Sequence, residues 1–229
     1  MQAIVEIVLP VFGLIVCGYV LARSPVLSVE GAKGLTGFVF YVAIPALLFR
    51  TVARGINAEQ LDFTILYAYF SGVAVIFVLA IVMGRSIFQR SFAEQALMGM
   101  SSVFGNTVML GLPLVYMAFG DEGIVPATLI IAFHSTILIT VTTLLLELSR
   151  GQRQGIGRII LTALTALIRN PVILAVLAGM AWAAVGTSLP TMIDRFINLL
   201  SGAAAPCALA ALGASLASYR LGGIYEKAR

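Results

Sequence analysis

The stretch SSVFGNTVMLGLPLV, from Ser101 to Val115, lies inside an apolar run that is long enough to cross a membrane. Its centre nevertheless carries an asparagine, two glycines and a proline. Each backbone polar group left open to hydrocarbon costs several kcal/mol, so an interrupted helix survives at bilayer depth only where protein or water satisfies the freed groups. The stretch therefore predicts a broken helix beside a polar cavity.

Three residues of the stretch are expected to cause the break. Gly105 and Gly111 relax the backbone, because glycine adopts conformations that other residues avoid. Pro113 has no amide hydrogen and clashes with the preceding turn. We expect this combination to leave the carbonyls near Met109 and Leu110 without partners inside the helix.

The polar residues of the stretch indicate what the cavity would hold. Asn106 and Thr107 bring side-chain donors and acceptors to the break. The half-helix that follows would point free N–H groups and a partial positive charge into the cavity. This environment favours a carboxylate, so the sequence predicts a site for a small anion.

The composition indicates an integral membrane protein. Of the 229 residues, 60% are hydrophobic and 10% are charged, with a mean hydropathy of +1.04. A soluble domain carries roughly a quarter charged residues. In a membrane protein the net charge of +4 reflects basic loops, so we predict no nucleic-acid binding. Cys17 and Cys207 lie in apolar segments and are expected to be small buried residues, without a disulfide or metal role.

A window of about 20 apolar residues per crossing predicts seven transmembrane helices. They are Ala3–Ala22, Leu35–Phe49, Phe63–Met83, Ala96–Phe119, Ile124–Leu146, Pro171–Gly186 and Phe196–Ala217. The segment Gly155–Asn170 has apolar residues at helical spacing between arginines, which favours an interfacial helix or an ordinary amphipathic linker.

The basic residues predict the orientation of these crossings. One side of the predicted topology holds eleven of them, namely Arg23, Lys33, Arg85, Arg90, Arg150, Arg153, Arg158, Arg169, Arg220, Lys227 and Arg229. The other side holds Arg50, Arg54 and Arg195. The positive-inside rule therefore places the N-terminus outside and the C-terminus of the chain in the cytoplasm, in the plasma (inner) membrane.

An internal repeat appears when the chain is compared with itself at an offset of 161 residues. The residues that coincide are Pro10 with Pro171, Val11 with Val172, Gly18 with Gly179, Ala22 with Ala183, Ala43 with Ala204, Pro45 with Pro206, and Leu48 with Leu209. Because the offset contains five crossings, the second copy enters the membrane from the opposite side, as in many secondary transporters.

The repeat predicts the fold and the domain boundaries. The same offset places Arg229 on Ala68, so the second copy is expected to be incomplete. We predict an all-α polytopic membrane protein built on an inverted five-helix repeat with a broken fourth helix. Residues 1–148 would form the first repeat, 149–170 a cytoplasmic linker, and 171–229 the first two helices of the second repeat.

Four strings of this sequence resemble the auxin efflux carrier family. They are FGNTVMLGLPL in the fourth span, FVFYVAIPALLF in the second, RNPVILAVLAG in the sixth and AAAPCALAALGASL in the seventh. The resemblance implies ten helices in two inverted repeats, in which two broken helices cross near the membrane centre and bind an organic anion. It also implies a homodimer formed through the static domain.

The resemblance also implies roles for single residues. Asn106 matches the asparagine of the family that contacts substrate, and Gly105 occupies a crossover position that is proline in the plant members. The alternative for Asn106 is a polar residue that holds neighbouring helices together by hydrogen bonds. Thr107, Gly111 and Pro113 would complete the site within the fourth span. The symmetric placement of Pro45 and Pro206 in the repeat, rather than the resemblance, predicts that they shape the static wall of the site; the alternative is that both are simple helix kinks. The second broken helix has no counterpart here, so these residues would supply half of the family's site.

His134 is the only histidine and lies in the middle of the fifth predicted span. An ionisable group at this depth is a candidate for proton coupling, because imidazole titrates near neutral pH. The alternative is a neutral ring that is hydrogen-bonded to a neighbouring helix. The nearest acid that follows on the same predicted helix, Glu147, lies more than three turns away.

Several motifs that mark enzymes and metal sites are missing from the sequence. The chain has no HExxH, GxSxG or P-loop motif and no cluster of cysteine and histidine, so we predict no enzyme, cofactor or metal site. The leading hypothesis is a secondary transporter for small organic anions such as carboxylates. The alternatives are a sodium-coupled symporter of the bile-acid type and a seven-helix sensor or truncated fragment that does not transport.

Overall fold

The structure is a computed structural model that describes residues 2–54, 63–150, 161, 165 and 169–218. Within this part of the chain the regular elements are all helical, as the sequence predicts. The α-helices are α1 (Gln2–Arg23), α2 (Val29–Phe38), α3 (Ile44–Ala53), α4 (Phe63–Ser86), α5 (Phe92–Val103), α6 (Leu112–Arg150), α7 (Pro171–Val185), α8 (Thr191–Gly202) and α9 (Ala204–Ser218). Two π-helical turns, Val39–Ala43 and Thr107–Gly111, precede α3 and α6.

These helices account for the predicted crossings. Four apolar helical stretches reach membrane-spanning length: Val29–Ala53, Thr64–Ser86, Phe92–Ser149 and Thr191–Ser218. The third stretch has 58 residues, which would extend roughly 87 Å at 1.5 Å per residue, far beyond a hydrocarbon core of about 30 Å. It therefore supplies two crossings, and the shorter apolar helices Val8–Arg23 and Pro171–Val185 bring the described crossings to seven. The all-α, polytopic fold is confirmed.

The fourth and fifth crossings are joined by a sharp bend at Gly120. This residue has φ 60° and ψ −147°, a conformation that side chains other than hydrogen disfavour. The arms also approach closely at Gly123, where a Cβ atom would lie 2.7 Å from Cγ1 of Val115. The corner exposes Asp121 and Glu122. Two glycines thus divide one long apolar stretch into two helical arms.

The second and seventh crossings are both bent near a proline. In the second, the π-helical turn Val39–Ala43 comes directly before α3, whose second residue is Pro45. In the seventh, α8 ends at Gly202 and α9 begins at Ala204, with Pro206 in its first turn. The offset of 161 residues that relates these prolines in the sequence therefore also relates the bends.

Glycine contacts show the same relation in three dimensions. A Cβ at Gly18 on α1 would overlap the carbonyl of Ala210 on α9, and a Cβ at Gly179 on α7 would lie 2.9 Å from the carbonyl oxygen of Phe49 on α3. The offset converts Gly18 into Gly179 and Phe49 into Ala210. The pairs α1–α9 and α3–α7 are therefore reciprocal, as an inverted repeat requires.

An ion-pair cluster ties the second crossing to the seventh at one end of the molecule. Arg50 makes a bidentate bond to Asp194, with Nε to Oδ1 at 2.8 Å and Nη2 to Oδ2 at 3.2 Å. Arg54 adds a contact of 3.2 Å between its Nη2 and Oδ2 of Asp194. A bidentate arginine fixes both position and orientation of a carboxylate. The cluster therefore clamps the start of α8 onto the end of α3.

The two cysteines of the chain differ in their burial. Cys17 is exposed on the surface of α1, so its prediction as a buried packing residue is wrong, whereas Cys207 is half buried against the core. A thiol on an apolar helix can face lipid as well as the protein core, and the sequence pattern is the same in both cases.

Most of Gly155–Asn170 lies outside the described residues, and the domain boundaries at 148 and 170 stay predictions.

The reciprocal glycine contacts predict a stability test. Gly18→Ala and Gly179→Ala should each lower the free energy of unfolding by about 1–3 kcal/mol, because the added methyl group meets backbone that cannot move aside. Gly13→Ala is the matched control, since a Cβ at Gly13 on α1 would meet no atom within 4 Å. Thermal unfolding in detergent, followed by the fluorescence of the single tryptophan, Trp182, measures the differences. Equal melting temperatures for all three variants would contradict the packing.

Candidate functional site

The fourth crossing is interrupted where the sequence predicts a broken helix. Helix α5 ends at Val103, and α6 begins at Leu112 after the π-helical turn Thr107–Gly111. The residues between α5 and that turn, Phe104 to Asn106, are not helical, with φ −77° and ψ 86° at Phe104. The chain thus enters the membrane as one half-helix and continues as a second.

Local hydrogen bonds satisfy much of the backbone at the break. The Gly105 amide donates to the Val103 carbonyl at 2.9 Å, and the Thr107 amide donates to the Gly105 carbonyl at 3.0 Å. The carbonyl of Asn106 accepts from the amides of both Leu110 and Gly111, at 3.3 and 3.1 Å. The break is therefore a built feature with its own hydrogen bonding.

The non-helical residues lie before the two carbonyls that the sequence predicts to be unpaired. Met109 and Leu110, whose carbonyls we expect to lack partners because of Pro113, lie inside the π-helical turn. Pro113 is buried in the first turn of α6, after the break. A π-helical turn shifts the backbone bonding by one residue, which accommodates the missing amide of proline.

Neither crowding nor unusual torsion angles require glycine at positions 105 and 111. Positive φ angles among the described residues occur only at Gln89, Gly120 and Gly186. A Cβ at Gly105 would meet no atom within 4 Å, and at Gly111 the nearest atom would be the Asn106 carbonyl oxygen at 3.7 Å. The open space beside Gly105 is consistent with a cavity at the break.

Asn106 holds the start of the second half-helix. Its side-chain oxygen Oδ1 accepts from the Met109 amide at 3.0 Å, which is the geometry of an N-cap. The residue is exposed, and its amide nitrogen Nδ2 has no hydrogen-bond partner within the described part of the chain. One side chain thus orders the half-helix and presents two N–H donors beside it.

The other predicted site residues lie around this cap. Thr107 and Gly111 are half buried at the two ends of the π-helical turn, and Pro45 is half buried at the start of α3. The apolar residues of the fourth crossing, Val108, Met109 and Leu112, pack in one core with the bends of the second and seventh crossings, represented by Ala43, Ile44, Ala204 and Ala208. The fold therefore brings the break against both proline bends.

His134 lies on the second arm of α6 with none of its surface exposed. Its Nδ1 is 3.0 Å from the hydroxyl of Tyr69 on α4. The ring of Phe104 lies 5.5 Å from the imidazole between centroids, tilted by 37°. The histidine therefore contacts the first residue of the break and bonds to a neighbouring helix.

Sequence reasoning missed Tyr69 and Phe104 as partners of His134. Both are aromatic residues in apolar spans, where such residues ordinarily pack against neighbours or lipid. The 65 residues between Tyr69 and His134 carry no spacing signal that links them. A tyrosine within a charge-free span was the available hint, because its hydroxyl needs a partner when buried.

A cavity of about 800 Å³ opens beside α4 and α5. Arg90 and Glu94 line one end of it, and Ser101 and Ser102 line the portion that approaches the break. Met83, Phe88 and Leu97 contribute apolar walls. Among the described residues, no group of three or more histidine, cysteine, aspartate or glutamate side chains has the arrangement of a metal site.

Sequence comparison with known proteins identifies a transport family. The family described as membrane transport protein matches residues 3–223. The chain is similar to a putative malonate transporter of Rhizobium meliloti, with 32% identity over 95% of this chain and 68% of that protein. It is also similar to the auxin efflux carrier component 8 of Arabidopsis thaliana, with 26% identity over 94% of this chain and 72% of that protein.

A third relative has a name that indicates signalling. The lysosomal cholesterol signaling protein of Mus musculus shares 24% identity over 90% of this chain, and the match spans 25% of that protein. The chain thus covers about two thirds of the two transporters and a quarter of the signaling protein. Similar helices occur in proteins whose names indicate transport and in one whose name indicates signalling.

The cap at Asn106 predicts a local change in hydrogen exchange. Asn106→Ala removes the acceptor of the Met109 amide and should weaken the half-helix by about 1 kcal/mol, which raises exchange around residues 107–111 roughly fivefold. Asn106→Asp keeps an acceptor and should preserve protection. Hydrogen–deuterium exchange with mass spectrometry measures both, and equal protection in the alanine variant and the unmodified protein would contradict the cap.

Proposed function

We propose that this chain, which belongs to the membrane transport protein family that matches its residues 3–223, acts in the secondary transport of small organic anions such as carboxylates. The observation that carries the proposal is the capped break in the fourth crossing. It presents the start of a half-helix and the Asn106 amide in the middle of an apolar segment. The proposal concerns the full-length protein to which these crossings belong.

The chemistry of the break suits a carboxylate. The N-terminus of a helix carries a partial positive charge and free N–H groups, and both stabilise an anion in a medium of low dielectric constant. Because Oδ1 of Asn106 is engaged at the cap, its Nδ2 faces away from the Met109 amide and provides two donors. A carboxylate accepts such bonds and needs no metal.

The cavity beside α4 and α5 offers a route toward this site. Its far end carries Arg90, which is 56% exposed and lies 3.7 Å from Glu94 at the i,i+4 position. Ser101 and Ser102 lie within one turn of Phe104, where the helix breaks. A mouth with a guanidinium group and a polar inner end suits the passage of a small anion.

The packing suggests which parts move. The reciprocal glycine contacts and the Arg50–Asp194 bond join α1, α3, α7, α8 and α9 into a static scaffold. Helices α4, α5 and α6 pack mainly on one another. Transport would then proceed by displacement of the α4–α6 unit against the scaffold, which carries the broken crossing from one side of the membrane to the other.

The setting of the carrier is part of the proposal. We place the N-terminus outside and the C-terminus of this chain in the cytoplasm of the plasma (inner) membrane, because eleven basic residues lie on the cytoplasmic side of that topology. A homodimer formed through the scaffold is the proposed assembly. Dicarboxylates are the first substrates to test, since one relative is named a putative malonate transporter.

A sensor is the second candidate function. The relative named lysosomal cholesterol signaling protein shows that helices similar to these occur in a protein with a signalling name. A sensor would bind its ligand without net flux. The sodium-coupled symporter of the bile-acid type would instead need oxygen ligands for sodium, and uptake measured with and without sodium separates it from the leading proposal.

Uptake by proteoliposomes tests the proposal. The full-length protein should accumulate labelled malonate or another member of a carboxylate panel, and Asn106→Ala should reduce uptake about 10-fold to 100-fold through the loss of a hydrogen bond to a charged group. Asn106→Asp should be at least as severe, because it keeps the cap but places a second negative charge beside the anion. This pair of variants separates the ligand role of Asn106 from its structural role.

The matched control is Asn198→Ala. Asn198 is also an exposed asparagine in an apolar crossing, but it lies inside the unbroken helix α8. Its replacement should leave uptake within twofold of the unmodified protein. Transport that survives in both Asn106 variants would contradict the proposed site, and ligand binding without flux for the whole panel would favour the sensor.

A further inference from the structure

The most unusual polar group of the described residues is the imidazole of His134. It has no exposed surface and lies in the middle of an apolar crossing. The chain contains no other histidine. Buried polar groups in proteins are nearly always fully hydrogen-bonded, so a buried ring with an open nitrogen needs a physical explanation.

The hydrogen bonds of His134 are incomplete. Nδ1 is bonded to the Tyr69 hydroxyl at 3.0 Å, whereas Nε2 is buried and has no partner among the described residues. If the tyrosine donates to Nδ1, the ring carries its hydrogen on Nε2, which is then an unused donor. If Nδ1 donates to the tyrosine, Nε2 is an unused acceptor. In both cases one ring nitrogen lacks its partner.

The ring is also in contact with the break. The Phe104 ring lies 5.5 Å from it, and Phe104 is two residues before Asn106 in the same non-helical segment. Tyr69 belongs to α4 and His134 to α6, and Phe104 directly follows the end of α5. The contact therefore joins the three helices of the proposed moving unit at the point where the anion would bind.

The charged groups near this ring are few. From α4, the Tyr69 phenol is the titratable group that faces His134, and from the end of α5 the facing group is the uncharged Phe104. On α6 itself, Asp121, Glu122 and Glu147 lie more than three turns along the helix, and Glu94 lies near the start of α5. Within α4, α5 and α6, no described residue therefore provides a nearby acid that would balance a charge on the imidazole.

We propose that His134 binds the proton that is co-transported with the anion, an inference that rests on the function proposed above. The proton comes from water, forms an N–H bond at the ring nitrogen that carries no hydrogen and leaves the same way, with no oxidation or reduction. Tyr69 is a positioning residue: when both ring nitrogens carry hydrogen, its hydroxyl oxygen accepts from Nδ1. The missing counter-charge is then supplied by the carboxylate itself.

The two ligands should therefore assist each other. A positive charge within about 10 Å of a carboxylate in a partly desolvated site strengthens its binding on the order of tenfold. Coupling of this kind is reciprocal, so the anion must strengthen proton binding by the same factor. A monocarboxylate moved with this proton would carry no net charge across the membrane.

The single histidine allows a direct test. The full-length protein is labelled with ¹⁵N-histidine and held in lipid nanodiscs. Any histidine other than His134 is replaced by glutamine, so that the ring of His134 gives the single set of histidine signals. The ring should titrate, and saturating malonate, or the panel member that binds best, should move the midpoint upward by about one pH unit, which corresponds to the tenfold coupling. In His134→Gln, uptake should lose its dependence on external pH.

Two further variants separate the roles. At the carboxylate concentration that saturates the unmodified protein, Asn106→Ala should move the midpoint of the ring titration less, because the anion binds beside it more weakly. Tyr69→Phe keeps the aromatic packing but removes the bond to Nδ1, so the ring signals should show a changed tautomer ratio. Retention of the original ratio would contradict the positioning role.

The outcomes distinguish this inference from the proposed function. A carboxylate that binds without moving the titration of His134 would contradict the proton site alone, as would a ring that does not titrate between pH 4 and 9. Uptake by His134→Gln with the same pH dependence as the unmodified protein would also contradict the proton site alone. Failure of every carboxylate to bind at any pH would contradict the proposed function, and the inference with it.

Discussion

The constraint on which this structure depends is that a bilayer offers no hydrogen-bond partners to the backbone. A helix can be interrupted in hydrocarbon only if the chain itself satisfies the freed groups. The fourth crossing does so with the Asn106 carbonyl, which accepts from two amides, and with the Asn106 side chain, which accepts from Met109. The break is therefore a stable part of the fold, and its remaining donors are available to a solute.

The break is held by a scaffold whose two halves pack in the same way. Glycine on α1 meets the backbone of α9, glycine on α7 meets the backbone of α3, and one offset relates both contacts. Close approach through glycine suits membrane helices, because lipid removes the hydrophobic driving force and leaves packing to hold helices together. The proline bends of the scaffold face the apolar side of the fourth crossing, so the rigid and the interrupted parts share one core.

Much of this fold could be predicted from the sequence, because apolar run lengths, glycines and prolines report directly on membrane helices. The seven crossings, the repeat offset and the existence of the break follow from such signals. The π-helical turn that separates the break at Phe104–Asn106 from Pro113 did not follow from them. The Tyr69–His134 bond was also out of reach, because it joins residues that only the packing of α4 against α6 brings together.

The central claim is that the break lines a water-filled pocket for an anion, and cysteine accessibility tests it most directly. In full-length protein with Cys17, Cys207 and any further cysteine replaced by alanine, Gly105→Cys places a thiol where the structure has open space, and Ile76→Cys on the exposed apolar side of α4 is the control. The account predicts that a charged, membrane-impermeant thiol reagent modifies the first variant and not the second, and that the transported carboxylate slows this modification. A thiol at Gly105 that reacts no faster than the one at Ile76 would contradict it.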